Sequence, residues 1–106
     1  MFLNCKLTAE SGVKDGSMYL ARSGGSADYY DNEVYVNCTM GPVIAATGWY
    51  AKPAPNPSTP TATSGWREFG SVDASGKAVT GHNASGKVLT AAEAEPYSSR
   101  KAVLGW

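Results

Sequence analysis

The sequence predicts an all-β domain built from short, stacked strands. Turn-forming residues are abundant, with 12 Gly and 6 Pro among 106 residues, and such a composition favours many turns and short strands over helices. A β-branched and aromatic-rich run covers residues 33–40, which is a strand signal. Residues 1–8 repeat its pattern at an offset of 38 − 5 = 33 residues. A strand repeated at a fixed offset, with loop-like sequence between the copies, is typical of stacked repeats.

The repeat also predicts which side chains share a face. One face is expected to carry Leu3, Cys5 and Leu7, matched by Val36, Cys38 and Met40; the other is expected to carry Phe2, Asn4 and Lys6, matched by Tyr35, Asn37 and Thr39. Cys5 and Cys38 would then lie on adjacent strands about 4.8 Å apart, which is within the range of a disulfide. A disulfide and two free thiols both fit; free thiols are favoured because buried Cys commonly acts as a small apolar filler.

The other elements follow in chain order. Residues 17–22 predict a short strand, and 66–71 predict the last good strand. Residues 51–65 contain four prolines, which cannot donate to a sheet ladder, so they predict an extended loop inserted between two strands rather than an interdomain linker. Thr90 and Glu93 have capping-box spacing, which predicts a short helix at 89–95 that Pro96 ends or kinks. The apolar tail, 103–106, is expected to dock on the body.

Composition and charge also exclude several function classes. Nine Lys and Arg balance nine Asp and Glu, and no basic run is present, so a nucleic-acid partner is not expected. The apolar stretches are too short to span a bilayer, so no membrane partner is expected. The first residues lack the unbroken apolar core of a signal peptide, and the compartment is not determined. We predict no cofactor and no metal site, and we expect His82, in a Gly- and Ser-rich loop, to be solvated without a partner.

Several segments resemble the C-terminal part of pectinesterases, the pectin methylesterase family. Four pieces occur in the order of that family and cover nearly the whole chain: Tyr19-Leu20-Ala21-Arg22; Val36-Asn37-Cys38-Thr39-Met40-Gly41 followed by Ile44-Ala45 and Gly48-Trp49; Trp66-Arg67-Glu68-Phe69-Gly70-Ser71; and Leu89-Thr90-Ala91-Ala92-Glu93-Ala94 with Tyr97 and Val103-Leu104-Gly105-Trp106. The resemblance, together with the strand copy, implies a right-handed parallel β-helix (a solenoid). The expected fold is a fragment of about two to three coils over residues 1–106, with a short C-terminal helix and tail at 89–106.

The same resemblance implies a chemistry, which is hydrolysis of the methyl ester of galacturonate in pectin. That reaction uses an Asp nucleophile, an Asp general acid, a Gln that supports the oxyanion and an Arg that holds the nucleophile. Only the Arg has a counterpart here, at Arg22, because the Asp and Gln motifs would lie upstream of it. Ser23 and Gly24 replace the Pro-Trp that usually follows that Arg. We therefore expect a fragment or truncated relative, inactive by itself, from a family that is usually secreted or periplasmic.

Further candidates for substrate contact are aromatic. Trp49 could stack on sugar with Tyr50, or could instead cover the core, and Tyr29 with Tyr30 could act in the same way from a loop. Asp28 and Asp31 flank that loop pair, and a solvated loop is favoured over acid–base work there. The alternative function is a non-catalytic β-solenoid module that binds acidic polysaccharide or a protein partner. Unpaired strand edges near the N-terminus also predict self-association.

Overall fold

The computed structural model describes residues 1–23, 31–50 and 59–106. These ranges contain nine short strands followed by helical segments. The elements are β1 (Phe2–Leu3), β2 (Lys6–Leu7), β3 (Ala21–Arg22), β4 (Asn32–Val36), β5 (Thr39–Met40), β6 (Trp49–Tyr50), β7 (Gly65–Phe69), β8 (Val72–Asp73), β9 (Gly86–Val88), α1 (Ala91–Ala94), a 3₁₀ turn (Glu95–Tyr97) and α2 (Arg100–Leu104). No helix within these ranges has the length and hydropathy needed to cross a membrane.

The strands form three separate sheets in which every pairing between named strands is parallel. The sheet orders are β1-β4-β7-β9, β2-β5-β8 and β3-β6. Phe2 pairs with Tyr35, and Lys6 pairs with Thr39. The register predicted from the strand copy is therefore confirmed.

The predicted fold class, a right-handed parallel β-helix fragment, is wrong. The chain forms a small compact body with a Cα radius of gyration of 13.8 Å, made of three separate parallel sheets and closed by short helical segments. Most of the strands are only two residues long. The sequence copy specified which strands pair, but local pairing over two residues does not impose the repeated winding of a solenoid.

The two predicted strands of the copy, 1–8 and 33–40, are each divided in two by a corner at an asparagine. Asn4 and Asn37 have φ angles of 54° and 52°, a left-handed conformation that Asn tolerates better than most residues. Asn4 separates β1 from β2, and Asn37 separates β4 from β5. Gly70 occupies the equivalent corner between β7 and β8 with φ 67°. The repeated Asn-Cys pair therefore marks a turn between sheets rather than the middle of a strand.

The corner also overturns the predicted sharing of faces. Tyr35, Cys38 and Met40 pack in one core cluster with Leu20, Trp49 and Trp66. Val34 and Val36 point to the opposite side of β4 and pack with Leu89 and Ala94. Neighbouring residues of a strand point to opposite faces, and the turn at Asn37 then brings Cys38 to the Tyr35 side. β4 is thus buried on both faces.

The C-terminal helix begins as predicted. The Thr90 side chain accepts a hydrogen bond from the backbone of Glu93, and the Glu93 side chain accepts one from the backbone of Thr90. α1 ends at Ala94, and Pro96 lies in the 3₁₀ turn that follows. The expected docking of the tail is wrong, because Trp106 is 71% exposed and Val103 and Leu104 are also exposed.

Candidate functional site

The exposed end of the β3–β6 sheet carries Arg22. Arg22 pairs in register with Tyr50, and its Cζ atom lies 5.4 Å from the centroid of the Tyr50 ring. Strict alternation along the strand would place Arg22 on the same face as Leu20. The chain bends there, so Leu20 is buried and Arg22 is exposed. The bend makes the guanidinium accessible to a ligand.

Tyr19 completes this surface group. Its ring meets the Tyr50 ring edge to face, with centroids 5.0 Å apart and an interplanar angle of 71°, and Tyr19 is 41% exposed. We call Tyr19, Arg22 and Tyr50 the Arg22 cluster. Tyr19 was not predicted as a site residue; its position three residues before Arg22 is the sequence signal that could have identified it.

The chemistry of the Arg22 cluster suits an acidic ligand with an apolar face. A guanidinium offers a planar fork of donors that matches a carboxylate, and an adjacent aromatic ring holds it in place through a cation–π contact. The ion pairs within the described ranges are His82–Glu68 and Lys87–Glu93. Arg22 therefore has no carboxylate partner among these residues.

A groove of about 520 Å³ continues from Tyr19. Lys6, Glu10, Val13 and Met18 are among the residues that line it, so it combines apolar side chains with charges of both signs. Tyr35 also lines the groove, and its hydroxyl donates a hydrogen bond to the Leu20 carbonyl at 2.6 Å. Burial raises the pKa of Tyr35 to about 12, and the nearby Glu33 carboxylate adds to the shift. Tyr35 is thus a fixed neutral donor rather than a base.

Trp49 lies in the core. It is 1% exposed and stacks on Trp66 with centroids 5.5 Å apart. Tyr50 rather than Trp49 therefore supplies the accessible ring beside Arg22. Tyr29, Tyr30 and Asp28 lie outside the described residues, so their predicted roles stay predictions.

The expectation that His82 is solvated and unpartnered is wrong. His82 Nδ1 and Glu68 Oε2 are 2.7 Å apart, and the two side chains are 6% and 4% exposed. The imidazole also meets the Trp49 ring edge to face at 6.4 Å. It packs so closely on Gly48 that a Cβ at that position would overlap the ring. The pair is an internal polar contact that joins the Gly-rich segment after β8 to β7.

No cluster of three His, Cys, Asp or Glu side chains suited to a metal ion occurs within residues 1–23, 31–50 and 59–106. Comparison of the chain with protein-family models, with curated proteins and with solved structures finds no match. The resemblance to pectinesterases therefore stays a prediction that rests on the motifs alone.

Proposed function

We propose that this chain is a non-catalytic module that binds acidic polysaccharide, with the galacturonate chain of pectin as the first candidate. The observation that carries the proposal is the exposed Arg22 guanidinium held over the Tyr50 ring, with Tyr19 beside it. Arg22 would bind a uronate carboxylate, and the exposed Tyr19 ring would pack on the apolar face of a sugar. The groove that continues from Tyr19 offers room for a neighbouring sugar unit.

The same residues do not assemble an esterase. Ester hydrolysis through a carboxylate nucleophile needs that carboxylate, a proton donor and oxyanion donors at one place. Of the pectinesterase motif, Arg22 alone has a counterpart in the sequence, and an arginine cannot serve as nucleophile or general acid because it stays protonated. Binding is therefore the activity that the Arg22 cluster supports.

The test is titration of the purified chain with polygalacturonate oligosaccharides, followed calorimetrically. Arg22→Ala is expected to weaken binding about tenfold or more, because a charge-assisted hydrogen bond is worth on the order of 1.5–3 kcal/mol. Tyr19→Ala is expected to weaken binding several-fold. Arg100→Ala is the matched control, because it removes an exposed arginine from α2 instead, and it should leave affinity unchanged.

Two further ligands sharpen the test. A fully methyl-esterified galacturonate oligomer lacks the carboxylate and should bind as weakly to the wild-type chain as the acid form binds to Arg22→Ala. A neutral glucan should not bind. If Arg22→Ala and Arg100→Ala lose the same affinity, net charge alone accounts for the binding and the proposal is overturned. Methanol release from esterified pectin would show that the chain is an enzyme.

A second candidate function is binding of a protein strand. Within the part of the chain that the structure describes, β1, β2 and β3 each pair on one side only, and exposed edge strands accept further strands. Phe2 and Met18 expose apolar surface nearby, at 40% and 54%, which favours the predicted self-association. Light scattering across a concentration series would test it: reversible dimers that Met18→Lys abolishes are expected, and a monomer at every concentration would refute self-association.

A further inference from the structure

The two cysteines lie at equivalent corners of the chain, Cys5 between β1 and β2 and Cys38 between β4 and β5. Pairings on both sides, Leu3 with Val36 and Lys6 with Thr39, place Cys5 opposite Cys38. The Thr39 amide donates a hydrogen bond to the Cys5 carbonyl at 2.8 Å. Opposed residues on neighbouring strands lie about 4.8 Å apart, which is within the Cα range of a disulfide.

We propose that Cys5 and Cys38 are a modification site at which a low-molecular-weight disulfide such as glutathione disulfide forms a reversible cross-strand bond. In the structure both cysteines are free thiols, so the bond belongs to a second, oxidised form of the chain. Because the pairings on either side already hold the backbones of Cys5 and Cys38 opposite each other, oxidation requires little movement of the backbone.

The order of steps follows from exposure. Cys5 is partly exposed, whereas Cys38 is fully buried, so Cys5 meets the oxidant first. The Cys5 thiolate attacks one sulfur of glutathione disulfide, forms a mixed disulfide and releases one glutathione thiolate. The Cys38 thiolate then attacks the Cys5 sulfur, forms the protein disulfide and releases the second glutathione. Two protein thiols are oxidised, one glutathione disulfide is reduced, and the two protein protons pass to the two glutathione thiolates through solvent.

The second step is expected to be the slower one. Burial raises the pKa of the Cys38 thiol above its ordinary value, and the thiolate is the attacking form. The rate of closure should therefore rise with pH.

Oxidation of the two cysteines would stabilise the attachment of β1 and β2, which lie at the edges of their sheets. β1 and β2 are attached to their neighbours by pairings of two residues each, and a covalent bond at Cys5 would hold both against β4 and β5. A disulfide between Cys5 and Cys38, which are 33 residues apart in the chain, would stabilise the folded state by restricting the unfolded chain.

The experiment is incubation of the folded chain with glutathione disulfide, followed by mass spectrometry of the intact chain and of peptides under non-reducing conditions. We expect loss of both free thiols, a mass decrease of about 2 Da for two hydrogens, a crosslinked peptide pair containing Cys5 and Cys38, and a rise in melting temperature on the order of 10 °C. Reduction should reverse all four.

The two single variants provide the controls. Cys38→Ser should stop at the glutathione adduct on Cys5, and Cys5→Ser should react far more slowly than the wild-type chain, because Cys38 is buried. The proposal is overturned if the wild-type chain also stops at the Cys5 adduct, if its disulfides join separate chains, or if neither thiol reacts while the chain is folded.

Discussion

The buried Glu68–His82 pair is expected to contribute strongly to stability. The Glu68 side chain is 4% exposed in the folded chain, and in His82→Ala its carboxylate loses its 2.7 Å partner. Leaving such a group without a hydrogen bond costs about 1–3 kcal/mol, more for a charged group. The lost contact between imidazole and the Trp49 ring adds roughly 0.5–1.5 kcal/mol. The expected loss is about 2–4 kcal/mol in the free energy of unfolding.

Urea denaturation followed by tryptophan fluorescence measures this loss, because Trp49 and Trp66 are both buried in the folded state. Glu68→Ala should cost a similar amount. The double variant should cost less than the sum of the two, by about 1–3 kcal/mol, because residues in direct contact are coupled. Lys87→Ala is the control for a partly exposed ion pair, at 3.5 Å, and should leave the midpoint unchanged.

Two results would refute this account of the pair. If His82→Ala unfolds at the same urea concentration as the wild-type chain, His82 is a solvated loop residue, as the sequence suggested. If the losses of the two single variants simply add, the 2.7 Å contact does not couple them.

Three other perturbations test the fold. Gly70→Ala should destabilise the chain by about 2 kcal/mol in urea denaturation, because φ is 67° and a Cβ would overlap the Asn37 amide oxygen. Gly76→Ala is the control, because φ is 86° there and the space around it is open; it should show only the cost of the backbone strain. Thr90→Ala removes the helix cap and should cost about 1 kcal/mol in the same assay, whereas Thr90→Ser should restore most of it. Burial raises the pKa of Tyr35 from its ordinary value of 10.0 to about 12. The unfolded state therefore releases the proton first, and stability should fall as pH rises from 10 towards 12. Tyr35→Phe should flatten that fall in urea midpoints measured across the range, and an unchanged fall would contradict the assignment.

The sequence alone determined the features that depend on close neighbours or on a direct repeat. The copy of Tyr35-Val36-Asn37-Cys38 at residues 2–5 predicted the parallel register, because residues of like type tend to stack at matching positions of paired strands. The spacing of Thr90 and Glu93 predicted the helix cap, and Pro96 predicted its end. Each of these signals lies within a few residues or in one pairwise alignment.

Tertiary structure decided where side chains point and what they meet. The turn at Asn37 broke the alternation, so Tyr35 and Cys38 entered one core cluster while Val36 entered the other. An alternation pattern does not locate such a corner, because it assumes an unbroken strand; Asn is depleted in strands and tolerates the left-handed conformation that the turn requires.

The same limit applied to the candidate site. His82 contacts Glu68, which lies 14 residues earlier in the chain, and Arg22 contacts Tyr50 because β3 pairs with β6. The resemblance to pectinesterases selected Arg22, but the exposure of Arg22 depends on the bend after Leu20. Trp49 is buried because it stacks on Trp66. These contacts join distant segments, and their energies depend on the path of the whole chain rather than on local composition.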